Sequence, residues 1–199
     1  MKKIILSLTF LLFLTSCIET VVVGSAATAI VVTRQKNLKN TKNDVIIAAK
    51  IDKEFLVNGL KTPRNSVAVM VSEGRVLLTG TIRDLEKGKK ATEIVWKTKG
   101  VKELIDEVEI DEKGLKIRDF GGGFYDSLIT AKIKTKLFFN REVVAADFKI
   151  NTSNGVVYIL GIAKNNAQLT ETLRVVSKTV GVKRVVNHAI LVNDSRRDG

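Results

Sequence analysis

The chain is poor in the residues that most enzymes and disulfide scaffolds are built from. It has one cysteine, one histidine, one proline and one tryptophan in 199 residues. A single cysteine excludes an internal disulfide framework, so Cys17 needs another explanation. A single histidine, His188, excludes clustered His/Cys metal sites, and no G-x-S-x-G nucleophile motif occurs. The glycine run Gly121 to Gly123 lacks the G-K-[ST] of a phosphate loop and is expected to be a hinge. His188 falls in an expected closing strand and is expected to be a half-exposed strand residue. The acids of "IDEVEIDE" around Asp106 alternate along a strand, as on a solvated face rather than in a calcium loop. No cofactor and no enzymatic activity are expected.

Basic residues are in surplus. Lys and Arg number 33 against 21 Asp and Glu, a net charge of +12, which points to an anionic partner. The start of the chain narrows the choice. "MKK" precedes the short apolar run "IILSLTFLLFLTS", which suits a signal-peptide core better than a membrane span. The run ends in "LTSC", which resembles the lipobox of bacterial lipoproteins. That resemblance implies removal of residues 1–16, a covalent lipid on Cys17, and an acylated new amino terminus. Ile18 stands where an Asp tends to retain such lipoproteins at the inner membrane, so the resemblance implies the outer membrane, periplasmic face. Residues 17–43 read as a lipidated tether, with apolar "VVVGSAATAIVV" near the interface. A solvated basic linker carrying Arg34, Lys36, Lys39 and Lys42 follows it. Nucleic acid is not expected as a partner of an exported lipoprotein.

Beyond residue 43 the sequence occurs twice. "DVIIAAKI" at Asp44 returns as "DSLITAKI" at Asp126, "GRVLLTG" at Gly74 as "GVVYILG" at Gly155, and "GVKELIDEV" at Gly100 as "GVKRVVNHA" at Gly181. Three ordered matches at offsets of 82, 81 and 81 are an internal repeat of two small domains. Each copy predicts a helix opening behind an Asp cap, Asp44 or Asp126. Apolar stripes follow, Ile47-Ile51-Phe55 and Ile129-Ile133-Leu137. Then comes a hairpin of alternating strands, Val67-Val69-Val71 with Val76-Leu78, or Phe148-Ile150 with Val157-Ile159. The turns are Glu73-Gly74 and Asn154-Gly155. Gly80 and Gly161 are expected where a helix packs close. A second helix buries Ala91, Ile94 and Val95, or Leu169, Leu173 and Val176. A C-cap glycine, Gly100 or Gly181, and a last strand close each unit. The order is α-β-β-α-β, an α+β class with a small mixed sheet packed on two helices.

That order, the glycine after each second strand, and "GV" before each last strand resemble the BON domain. The expected layout is a first BON domain at 44–111, a Gly-rich linker at 112–123 and a second BON domain at 124–193. Two such domains behind a lipobox resemble the dual-BON outer-membrane lipoproteins, over nearly the whole chain. "VVVGSAATA", "ITAKI" with "NGVVYILG", and "SKTVGVKRV" carry the resemblance most closely. It implies a non-enzymatic protein that binds anionic phospholipids, phosphatidylglycerol or cardiolipin, through the first helix of the second domain, in support of outer-membrane integrity. One departure stands out: the family's helix carries an exposed tryptophan where this chain has Leu128.

Charge singles out the same copy. Residues 44–111 hold 12 basic and 12 acidic residues, whereas 126–192 hold 10 and 4. A requirement of the fold would mark both copies; the difference points to a task of the second. On a helical wheel the core stripe Ile129-Ile133-Leu137 spans about 100–180°, and Leu128, Lys132, Lys136 and Phe139 a separate edge at about 0–80°. Phe124 and Tyr125 precede it. The candidate phospholipid site is therefore Phe124, Tyr125, Leu128, Lys132, Lys136 and Phe139. Two other readings stay open. In one, Phe124, Tyr125 and Phe139 pack between the two domains. In the other, the basic domain docks an acidic envelope protein and lipid contact is incidental. A purely structural spacer predicts no exposed apolar edge at Leu128 and Phe139.

Overall fold

The computed structural model describes residues 27–62, 65–111 and 118–197. By its contacts the chain divides into two units, Met1–Asn37 and Leu38–Gly199. Cys17 and the apolar leader lie outside the described residues.

Helix α1 runs Ala27–Val57, followed by strands β1 (Lys61–Thr62), β2 (Asn65–Ser72) and β3 (Arg75–Ile82), helix α2 (Leu85–Lys97) and strand β4 (Glu103–Ile110). The second copy comprises α3 (Arg118–Phe138), a 3₁₀ turn (Ala145–Asp147), β5 (Phe148–Ser153), β6 (Val156–Ala163), α4 (Asn166–Ser177), β7 (Arg184–Asn187) and β8 (Ile190–Leu191). A further 3₁₀ turn, Ser195–Arg197, follows. This is the expected α+β class: two tandem units, each a small mixed sheet with two helices. In each, the hairpin strands pair antiparallel, and α2 or α4 crosses over to a parallel neighbour.

The periodicities explain the cores. Ile47, Ile51 and Phe55 meet Val67, Val71, Val76 and Leu78 under Ala91, Ile94 and Val95. Ile129, Ile133 and Leu137 do the same over Phe148, Ile150, Val157 and Ile159. In α4 the structure inverts part of the expectation. Val176 is buried, Leu169 and Leu173 are only half-buried, and Gln168 and Thr172 go inside. Both polar groups are satisfied there. Gln168 accepts from Lys164 N (2.6 Å) and donates to Asp147 (3.0 Å), and Thr172 donates to the Gln168 carbonyl (2.8 Å).

Four local expectations are corrected. Asp44 and Asp126 cap no helix, because both helices begin well before them. Each carboxylate instead accepts two backbone N–H groups of the hairpin turn. Asp44 takes those of Glu73 and Gly74 (2.8 and 2.9 Å), and Asp126 those of Asn154 and Gly155 (2.7 and 2.9 Å). The turns have positive φ at both central residues, which turns their donors to one side. Secondly, the basic stretch after residue 33 and the glycines Gly121 to Gly123 lie inside α1 and α3, not in coil. No Gly or Pro interrupts α1, and a glycine within a helix weakens it without ending it. Thirdly, Gly80 and Gly161 make room for the start of the other strand of their own hairpin, paired at Val67 and Phe148, and not for the packed second helix. A Cβ there would sit 1.8 Å from the Ser66 carbonyl oxygen, or 2.1 Å from that of Asp147. Finally, the last strand of the second copy is broken between β7 and β8, where the Asn187 side chain accepts from Ala189 N (3.0 Å).

The second face of each sheet was not assigned by the sequence. Residues alternating with the core set, Met70 and Leu77 from one copy and Tyr158 and Leu160 from the other, form a third buried cluster. Ile105, Val156 and Val186 pack against it. The two sheets therefore meet face to face, and the layers run helices, sheet, sheet, helices. Leu77 and Tyr158 are counterparts in the repeat, as are Ile105 and Val186, each pair 81 apart. Counterparts meeting in one interface mark an approximate two-fold relation. Polar contacts cross the seam: Asn151 donates to the Thr79 hydroxyl (2.7 Å), and Arg75 Nη1 to the His188 carbonyl (3.0 Å). Arg197 clasps Glu73 with two 2.8 Å bonds. Two further readings change accordingly. His188 is half-buried in the seam, with Nε2 2.9 Å from Glu107, and Glu107 faces the other domain, not bulk solvent. Asp106, on the opposite face of β4, is exposed.

Candidate functional site

Helix α3 is the element that presents the candidate residues. Its inward stripe, Ile129, Ile133 and Leu137, is almost wholly buried. With 3.6 residues per turn, that fixes the outward edge. Leu128 is 40% exposed, Phe124 65%, Tyr125 68% and Phe139 75%. Lys132 and Lys136 are exposed along the same edge. The Lys136 ammonium also donates to the Thr179 hydroxyl (3.2 Å), which holds its stem against the domain and leaves further donors for a ligand.

The aromatics form two edge-to-face pairs. Phe124 and Tyr125 have centroids 6.2 Å apart, and Phe138 and Phe139 5.2 Å. Along the helix the pairs are separated by roughly 20 Å, at 1.5 Å per residue, with the lysines between them. Phe138, 73% exposed, was missed by the sequence reading. On the wheel it belongs to neither the core stripe nor the candidate edge. The available signal was its place in the last helical turn, immediately before the chain leaves the helix.

The reading in which these aromatics pack between the domains is overturned. The seam is made by Met70, Leu77, Tyr158 and Leu160, and the aromatics of α3 are absent from it. Five exposed bulky apolar side chains along one helix and its end, Phe124, Tyr125, Leu128, Phe138 and Phe139, need a reason, since apolar patches mark interaction sites. The matching edge of α1 is Ile46, Lys50, Glu54 and Val57, with an acid and no aromatic ring.

The seam has its own electrostatics. Burial, then Glu109 and Glu107, push the Tyr158 phenol above its ordinary value, and Arg184 opposes them. Among the described residues no three His, Cys, Asp or Glu side chains are grouped to hold a metal ion. No described helix is long and apolar enough to cross a membrane.

Comparison with known proteins agrees with the repeat. The BON domain model matches twice, at residues 43–112 and 125–193. A protein of Anaplasma centrale described as "Uncharacterized protein in gshII 5'region" is 34% identical over 78% of this chain and 99% of its own length. The "Outer membrane lipoprotein DolP" of Haemophilus influenzae is 27% identical over 94% of both chains. The "Osmotically-inducible protein Y" of Escherichia coli is 26% identical over 74% of this chain and 72% of its own. With two matches that together span more than half of its residues, the chain belongs to the BON-domain family.

Proposed function

We propose that this protein is an outer-membrane lipoprotein, anchored through Cys17 on the periplasmic face, whose second BON domain binds anionic phospholipid and supports the integrity of that membrane. The observation that carries the reading is the outward edge of α3: exposed aromatic pairs at both ends, lysines between, on the domain with a charge surplus. The Haemophilus relative, an outer membrane lipoprotein by name, supports the location. It is a binding role, not a catalytic one.

The chemistry suits a weak, additive contact. Lysine stems lie on apolar surface while their ammonium groups reach phosphates. Aromatic rings favour the head-group boundary. Each cation near an anionic surface contributes about 1 kcal/mol, falling as salt rises. The lipid anchor raises the domain's effective concentration at the surface, so modest affinity suffices. Phosphatidylglycerol or cardiolipin would supply the charge.

Co-sedimentation of residues 33–199 tests this. That fragment contains the compact unit Leu38–Gly199, with both cores and the seam. We expect pelleting with phosphatidylglycerol or cardiolipin vesicles and not with phosphatidylcholine, and loss of it in Lys132→Glu/Lys136→Glu. Equal pelleting by that variant removes α3 from the site. No pelleting by the folded parent moves the basic domain to an acidic protein partner.

A further inference from the structure

The loop after α4 lies along the flank of α3, and it carries the most exposed large apolar side chain among the described residues, Val180 at 78%. The residues on either side of it are pressed to the helix. Thr179 is buried and accepts the Lys136 ammonium (3.2 Å). Gly181 lies so close to Ile129 that a Cβ would stand 2.8 Å from its side chain, and its φ is +100°. Ile129 and Lys136 are two turns apart, so the loop runs beside the helix, next to the lysine edge. Clamped on both sides, Val180 can only point away from the domain. Lys178 and Lys183 flank it, both exposed.

We infer that the lipid-binding surface of the second domain has two elements, helix α3 and the α4–β7 loop, with Val180 inserting at the head-group boundary between Lys178 and Lys183. The inference rests on the anionic-bilayer reading above. Its independent support is the comparison of the two repeats. Position 180 corresponds to Lys99 in the first domain, in an otherwise similar loop with Gly100 matching Gly181. Gly100 packs against Ile47 as Gly181 packs against Ile129, so the loop geometry is shared. The fold therefore does not require an apolar residue at this place; a valine held outward in the basic copy alone has a task outside the fold. An apolar tip between cations matches an anionic bilayer, whose surface offers negative charge over hydrocarbon. A two-element contact also fixes the rotation of α3 about its axis, which a single helix edge leaves free.

Single-tryptophan versions of residues 33–199 give the test. Trp96 is replaced by Phe, and tryptophan is introduced as Val180→Trp or, as a control, Leu128→Trp. The parent, with Trp96 on the first domain, is the second control. Each is mixed with phosphatidylcholine vesicles or with vesicles that also hold phosphatidylglycerol, both with brominated acyl chains. With the anionic vesicles we expect blue-shifted, quenched emission from positions 180 and 128 and none from position 96. In the otherwise native fragment, Val180→Asp should lower anionic pelleting several-fold with unchanged circular dichroism. Quenching at 128 with none at 180, or full pelleting by Val180→Asp, overturns the two-element surface and leaves the helix reading intact. Absence of quenching at both positions, or of pelleting by the parent, overturns both readings and gives the surface to a protein partner.

Discussion

Nε2 of His188 lies 2.9 Å from the carboxylate of Glu107, and the two residues hold the same place in the two repeats, 81 apart. A position that meets its own counterpart lies near the two-fold relation between the domains. Glu103 similarly corresponds to Arg184. The copies have thus diverged at the seam into acid on one strand and base on the other, where identical copies would repel. Glu107→Lys should set a cation against His188, whose carbonyl already accepts from the Arg75 guanidinium. The expected cost is about 1–2 kcal/mol, from the lost hydrogen bond and the new repulsion. The midpoint of urea unfolding measures it, and an unchanged midpoint would show that the seam's polar contacts are dispensable.

The apolar part of the seam should matter more. Leu77 is fully buried, although it points away from the helices of its own domain. Leu77→Ala is expected to destabilise by about 2–5 kcal/mol, the range for a large-to-small change at a buried site. If the domains did not pack, this residue would be solvent-facing and the change would cost well under 1 kcal/mol. Amide exchange should quicken on β3 and β6 in the same variant.

The helices and hairpins were legible because their signals are local. Stripes such as Ile47-Ile51-Phe55, strands such as Val67-Val69-Val71, and the Asn154-Gly155 turn read directly into elements. Asp44 was misread because an aspartate before an apolar stripe has the same appearance whether its carboxylate serves its own helix or a turn 29 residues away. The seam was hidden for a related reason. Val76, Leu77 and Leu78 in succession mean only that both faces of a strand are buried; the cover of the second face comes from β6, distant in sequence. The candidate edge was found because it is an excess over what the core needs. Phe138 escaped because it lies off the edge's stripe, and Val180 because its placement depends on how a distant loop closes on α3.

Two kinds of glycine should respond in opposite ways. At Gly80 a Cβ would collide with the Ser66 carbonyl, and φ is +117°. Gly80→Ala is expected to destabilise the first domain strongly, by at least about 3 kcal/mol, since neither the strand backbone nor the left-handed conformation accommodates it. Gly122 lies within α3, and a Cβ there meets nothing within 4 Å. Gly122→Ala should stabilise by about 0.5–1 kcal/mol through helix propensity. Thermal melts of the two variants decide whether the triplet behaves as helix or hinge. A neutral or destabilising Gly122→Ala would restore the hinge.

The acid limb of stability should report Glu171. This carboxylate accepts two bonds from Arg174 (both 2.6 Å) and one from Asn140 (2.7 Å). Arg174, then Asn140, lower its pKa from 4.5 to about 2. A depressed folded-state pKa means that the unfolded chain binds the proton more readily. The stabilisation is therefore complete above the ordinary pKa of 4.5 and is lost as pH falls from there through about 2. Glu171→Gln keeps the shape and most of the bonding but cannot titrate. Its stability should be lower than the parent's at neutral pH, and the gap should narrow on acidification over that window. Urea midpoints at pH 7, 4 and 2.5 give the comparison. A gap that stayed constant with pH would mean that the contacts of Glu171 act by packing alone, without linkage to its proton. Because Asn140 sits just past the end of α3, the same measurement shows whether the end of that helix is held to α4 by the charge on Glu171.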